Sequence, residues 1–154
     1  MLNNKYLIIA PSWVGDMVMA QSLFRFMKSS EPNCIIDVLA PGSSLPMAQF
    51  MPEINQSILF DFKHGELGLL RRRSFARNIR KNKYTHAIVL PNSWKSTLVP
   101  FFCGIKIRTG FKGESRYGLL NNIHILDKKA LPLMIERFCA LAISKNSKLP
   151  KKLP

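Results

Sequence analysis

A chain of 154 residues, 47% hydrophobic and 21% charged, suits one compact domain with a proper core. Its 23 Lys and Arg against nine Asp and Glu leave a formal charge of +14, which favours anionic partners: nucleic acid, a membrane surface, or a phosphorylated or carboxylated substrate. Three scattered cysteines among apolar neighbours (Cys34, Cys103, Cys139) argue against a disulfide framework, three scattered histidines (His64, His86, His124) against a metal site, and no apolar run approaches the ~18 residues of a membrane span.

The first run, YLIIA (6–10), predicts a strand. It is too short for a signal-peptide core and is followed by Pro and Trp rather than a cleavage site, so the protein is expected in the cytoplasm, at most peripheral to a membrane. PSWVGD then leads into a helix over 17–29. Strands at 34–40 (CIIDVLA), 57–60 (SILF), 85–90 (THAIVL) and 106–111 (KIRTGF) alternate with helices over 43–50, 67–82 and 94–102. That βαβα rhythm predicts an α/β, Rossmann-like three-layer domain with a mainly parallel sheet, covered on both faces because its strands are near-continuous apolar runs. After residue 112 the pattern loosens, and a last helix follows with apolar residues at 131, 134, 135, 138, 141 and 142. The domain is expected to span 1–144, with a linker-like tail at 145–154 whose composition offers no face to bury.

Ligands of open α/β sheets bind beyond the carboxyl ends of the strands, which makes PSWVGD a candidate site loop. Gly15 would allow a tight turn or close approach of a ligand, and the helix start favours anions. There is no GxGxxG or Walker motif. Asp16 has two readings: a helix N-cap, or a general base that takes a proton from a hydroxyl nucleophile. Between Leu67 and Lys112 there is no acid, but there are eleven Lys and Arg. Arg73, Arg77 and Arg80 form one helical stripe and Phe75, Ala76 and Ile79 another. The basic stripe is either a solvated face or an anion site, since three consecutive Arg at a helix start (Arg71, Arg72, Arg73) oppose the helix dipole. PNSWKS (91–96) is an ordinary Pro-Asn turn or a second polar loop beside PSWVGD, offering Asn92, Ser93, Lys95 and Ser96.

The segments IIAPSWVGDMVMAQSLFR, IIDVLAP, MPEIN, VLPNSWKSTLVPFFCGIKIRTGFKGESRYGLLN and LPLMIERFCAL together resemble, in order, the N-terminal half of the lipopolysaccharide heptosyltransferase II family of ADP-heptose glycosyltransferases. The resemblance implies the N-terminal, acceptor-side domain of a GT-B glycosyltransferase, with the donor-binding C-terminal domain absent and the chain a truncated form, inactive alone. It implies inverting, metal-independent transfer of heptose to a heptosyl-Kdo-lipid A acceptor in inner-core biosynthesis. ADP-heptose is then a donor substrate bound mainly by the missing domain, and no cofactor is required. Asp16 becomes the catalytic base. Ser12, Trp13, Gly15, Arg71, Arg72, Arg73, Asn92, Ser93, Lys95, Arg108 and Arg116 become acceptor-binding candidates for an anionic lipopolysaccharide partner at the inner face of the membrane. The rival reading is a non-catalytic basic module for a polyanion such as nucleic acid, although no specific nucleic-acid motif is present.

Overall fold

The computed structural model describes residues 2–62 and 65–154, so His64 lies outside the described residues. Six strands, β1 (Lys5–Ile9), β2 (Ile35–Ala40), β3 (Gln56–Leu59), β4 (His86–Val89), β5 (Ile107–Phe111) and β6 (Asn122–His124), form one sheet in the order β3-β2-β1-β4-β5-β6. Every pairing is parallel, with Ile8 of β1 opposite Val38 on one side and Ile88 on the other. This doubly wound order puts the topological switch point between β1 and β4, where the loops leaving the two strands diverge and open a crevice.

Helices α1 (Val14–Ser30), α2 (Leu45–Gln49) and α5 (Met134–Ala140) cover one face, and α3 (Leu69–Ile79) and α4 (Leu98–Phe102) cover the other. Side chains alternate along a strand, so Ile8 and Ala10 join a core with Leu23, Phe24 and Phe138, while Leu7 and Ile9 join one with Ala76, Val89 and Val99. Both faces need apolar residues, which explains the continuous apolar runs. One charge is sealed in the sheet: Asp37 is fully buried, accepting hydrogen bonds from Tyr84 Oη and Asn55 Nδ2, both at 2.8 Å, with Lys5 Nζ 3.9 Å away.

The three-layer expectation holds, and each of the five expected strands is present. Three details differ. The first helix begins at Val14, so Gly15 and Asp16 lie inside its first turn and not in a loop. A sixth strand, β6, stands where the pattern loosened, too short and polar to carry a periodicity. In the tail, Leu149 and Leu153 are partly buried against the first core, so that segment does bury a face. No helix among the described residues is long and apolar enough to cross a membrane.

Candidate active site

Two neighbouring clefts open at the switch point, divided by the loops that leave β1 and β4. The first, of about 380 Å³, is lined by Ser12, Trp13, Asp16, Pro91, Asn92, Met134 and Phe138 among others. The second, of about 340 Å³, lies on the α3 side and is lined by Ser12, Phe62, Glu66, Arg72, Ser93, Lys95 and Ser96 among others. PSWVGD and PNSWKS, 80 residues apart in sequence, therefore meet as expected from adjacent parallel strands.

Asp16 is the third residue of α1. The cap position belongs to Trp13, whose carbonyl accepts from Met17 N at 3.0 Å and whose side chain makes no capping bond. The capping role read from sequence is thus corrected: Asp16 complements the helix dipole only by its charge. Its carboxylate is half-buried at the cleft and has no hydrogen bond or ion pair among the described residues. Gly15 is exposed and helical, so the expected tight turn is absent; a Cβ there would meet nothing within 4 Å. Trp13 is 77% exposed beside Asp16, a large apolar surface left open at the mouth of the cleft.

Residues that no motif announced hold these loops in place. Ser44 Oγ donates to the Pro11 carbonyl at 2.8 Å, Ser43 Oγ to the Ser12 carbonyl at 2.7 Å, and Gly42 N to Asp61 Oδ1 at 2.7 Å, chaining the loops after β1, β2 and β3. On the other side Arg116 is only 1% exposed and donates to the carbonyls of Pro91, Ser93 and Phe111. Its Nε has no partner, and burial pulls the guanidinium below its ordinary range against the opposing pull of Glu114. Gly113 lets the chain pass the same loop, since a Cβ there would lie 2.6 Å from the Asn92 carbonyl oxygen. Arg116 is therefore a strut of the Asn92 loop, correcting its assignment as an acceptor-binding group.

The arginines divide in the same way. Arg72 is on the buried stripe of α3 with Ala76 and Ile79, not on a solvated face. Its Nε donates to the Leu67 carbonyl at 2.8 Å, and its guanidinium lies 4.0 Å from the centroid of the Phe62 ring, at the wall of the second cleft. Arg71 covers Phe62 at 4.3 Å and pairs with Glu66 at 3.1 Å. Lys95 Nζ reaches the Gly65 carbonyl at 3.4 Å at the same wall. Arg73 is exposed and lines neither cleft, so it leaves the candidate site. Arg108 also leaves it. It sits at the amino end of β5, away from the clefts, and donates to the carbonyls of Ile105, Gly118 and Leu119. No group of three or more His, Cys, Asp or Glu able to hold a metal occurs among the described residues.

A model of glycosyltransferase family 9 (heptosyltransferase) matches residues 72–154. The chain is 52% identical over 142 residues to lipopolysaccharide heptosyltransferase 2 of Escherichia coli strain K12, covering 92% of this chain and 41% of that protein. It is 46% identical to lipooligosaccharide heptosyltransferase 2 of Haemophilus ducreyi, covering 96% of this chain and 41% of the relative. The solved E. coli ADP-heptose LPS heptosyltransferase II superposes with a TM-score of 0.89 at 47% identity, over 97% of this chain and 45% of that one. E. coli heptosyltransferase WaaC with ADP shares the fold at a TM-score of 0.78 and 17% identity, over 96% of this chain and 49% of that one. The chain thus spans about two-fifths of the length of the curated relatives it matches. These likenesses lend no support to the nucleic-acid reading.

Proposed function

This chain belongs to glycosyltransferase family 9, the heptosyltransferases, and from that membership we propose that it forms the acceptor side of an enzyme moving heptose from ADP-heptose onto an anionic inner-core lipopolysaccharide acceptor. The observation that carries the reading is that Asp16, whose carboxylate has no hydrogen bond or ion pair among the described residues, lines the first cleft together with Asn92. Asp16 takes the proton from an acceptor hydroxyl as its oxygen attacks the anomeric carbon of the donor. The bond to the ADP oxygen breaks on the opposite side and ADP leaves with the electron pair, so the configuration inverts. No metal enters this scheme.

Asn92 and Ser12 orient the acceptor sugar, and Trp13 offers an exposed ring for its apolar face. Arg72 and Lys95 in the second cleft take its carboxylate or phosphate, with Ser93 and Ser96 as further donors. ADP-heptose is a substrate and is assigned mainly to the part of the family's length that lies outside this chain. Such an acceptor is lipid-borne, so the working place is the cytoplasmic face of the inner membrane, with peripheral attachment.

The test is Asp16→Asn in a polypeptide that supplies the family's full length. Asn keeps the polarity and nearly the shape but cannot take the proton, so transfer should fall by about 100-fold or more. Acceptor affinity should stay within error, and stability should fall by only about 0.3–1 kcal/mol, the contribution of the charge at the helix start. Near-normal turnover would return Asp16 to a charge at a helix start and nothing more.

A further inference from the structure

The two helical layers differ sharply in charge. Residues 69–102, which build α3, α4 and the strand between them, contain eight Lys and Arg and no Asp or Glu. On the opposite layer α1 sets Asp16 against Arg25 and Lys28, and α5 sets Glu136 against Arg137. Arg72 is turned into the cleft wall, but Arg73, Arg77, Arg80, Lys81 and Lys83 are exposed. Leu70, Arg73 and Arg77 stand at i, i+3 and i+7, one outward stripe of α3. Leu70 is 80% exposed, with Leu69 at 45% and Leu67 at 39% at the same helix start.

A single exposed leucine needs no explanation. Three at one helix start, continuous with a row of cations, match a surface that is both anionic and apolar. A bilayer with acidic headgroups is such a surface: the cations meet the headgroups and the leucines reach the acyl boundary. A nucleic acid would take the cations and leave the leucines in water. The nearest acid, Glu66, is paired with Arg71 and so opposes this attraction little.

We propose that the outward face of α3, with Leu69, Leu70, Arg73 and Arg77, together with Leu67 just ahead of the helix, docks the protein on an anionic lipid bilayer. This deepens the peripheral placement proposed above and rests on it. It also fixes an orientation. The amino end of α3 forms the rim of the second cleft, where the Leu67 carbonyl accepts from Arg72, so an acceptor carried in the headgroup layer meets the cleft without leaving the bilayer.

The experiment is flotation of the chain with vesicles of phosphatidylcholine alone and of an equal mixture of phosphatidylcholine and phosphatidylglycerol, across salt. Binding should require phosphatidylglycerol and weaken with salt. Arg73→Ser with Arg77→Ser should lower the partition coefficient about 25-fold, at roughly five-fold per cation removed. Leu70→Ser should weaken binding several-fold while keeping the salt dependence, and should leave binding to a charge-matched DNA oligomer unchanged. Arg25→Ser, on the opposite layer, should change nothing. All four positions are solvent-facing, and circular dichroism confirms that each variant folds. No binding to the mixed vesicles would sink the peripheral placement itself. Binding unaffected by the α3 variants would leave that placement standing and overturn the docking face. The same loss per cation in Arg25→Ser as in the α3 double variant, with none in Leu70→Ser, would reduce the effect to net charge and overturn it as well.

Discussion

Replacing Arg116 by Met should destabilise the domain by about 3 kcal/mol, because the side chain it removes ties the Asn92 loop to the end of β5. Three carbonyls lose a charged donor, those of Pro91, Ser93 and Phe111. Ser93 keeps another, since Ser96 Oγ donates to it at 2.5 Å. The remaining two losses cost about 1–3 kcal/mol each. Removing a guanidinium that is 1% exposed, with an unpartnered Nε, relieves part of its desolvation and offsets some of that. A net of about 3 kcal/mol corresponds to a fall in Tm of roughly 6–12 °C for a domain of this size. Arg116→Lys keeps the charge but lacks the fork that spans three carbonyls, so it should recover less than half of the loss. Urea and thermal unfolding followed by circular dichroism measure both variants. If Arg116→Met unfolds within about 0.5 kcal/mol of the parent while acceptor binding collapses, Arg116 is a ligand contact after all and the strut assignment is wrong.

Gly68 opens α3 with φ +53°, and a Cβ there would lie 2.2 Å from the Phe62 ring. Gly68→Ala should therefore cost about 2 kcal/mol or more by urea unfolding and displace Phe62 from between Arg71 and Arg72; an unchanged midpoint would refute the contact. Arg108→Met should lower stability by about 1–3 kcal/mol through its three carbonyl partners and leave acceptor affinity intact; a selective loss of affinity by calorimetry would restore it to the site. Burial holds both His86 and His124 below the ordinary value of 6.5, against Glu31 for His86 and reinforced by Lys145 for His124. The folded state then binds fewer protons than the unfolded, so this stability is complete above about pH 6.5 and is lost as pH falls through the depressed folded values. The urea midpoint should drop between about pH 7 and about pH 5, and His124→Leu should flatten that drop; a midpoint that rises on acidification would reverse the argument.

The fold was legible in the sequence because a parallel strand covered on both faces must be apolar at every position, and the runs around Ile8, Val38 and Ile88 say so without help from distant residues. The placing of Asp16 beside Asn92 followed from the same pattern: residues just past the ends of two parallel strands share one edge of the sheet. What the sequence could not decide was the work of each arginine. Arg72, Arg73, Arg108 and Arg116 look alike as charges. One lines a cleft, one faces outward, and two are spent on backbone carbonyls up to 25 residues away along the chain. A guanidinium on a flexible stem goes where unsatisfied carbonyls or aromatic faces are, and those are brought to it only by tertiary folding. The cap of α1 was undecidable for a related reason: an acid near a helix start can be cap or free carboxylate, and only the backbone angles at Trp13 separated the two. β6 lay beyond reach as well, since three residues with Asn and His at their ends become a strand only because the edge of β5 is there to pair with them.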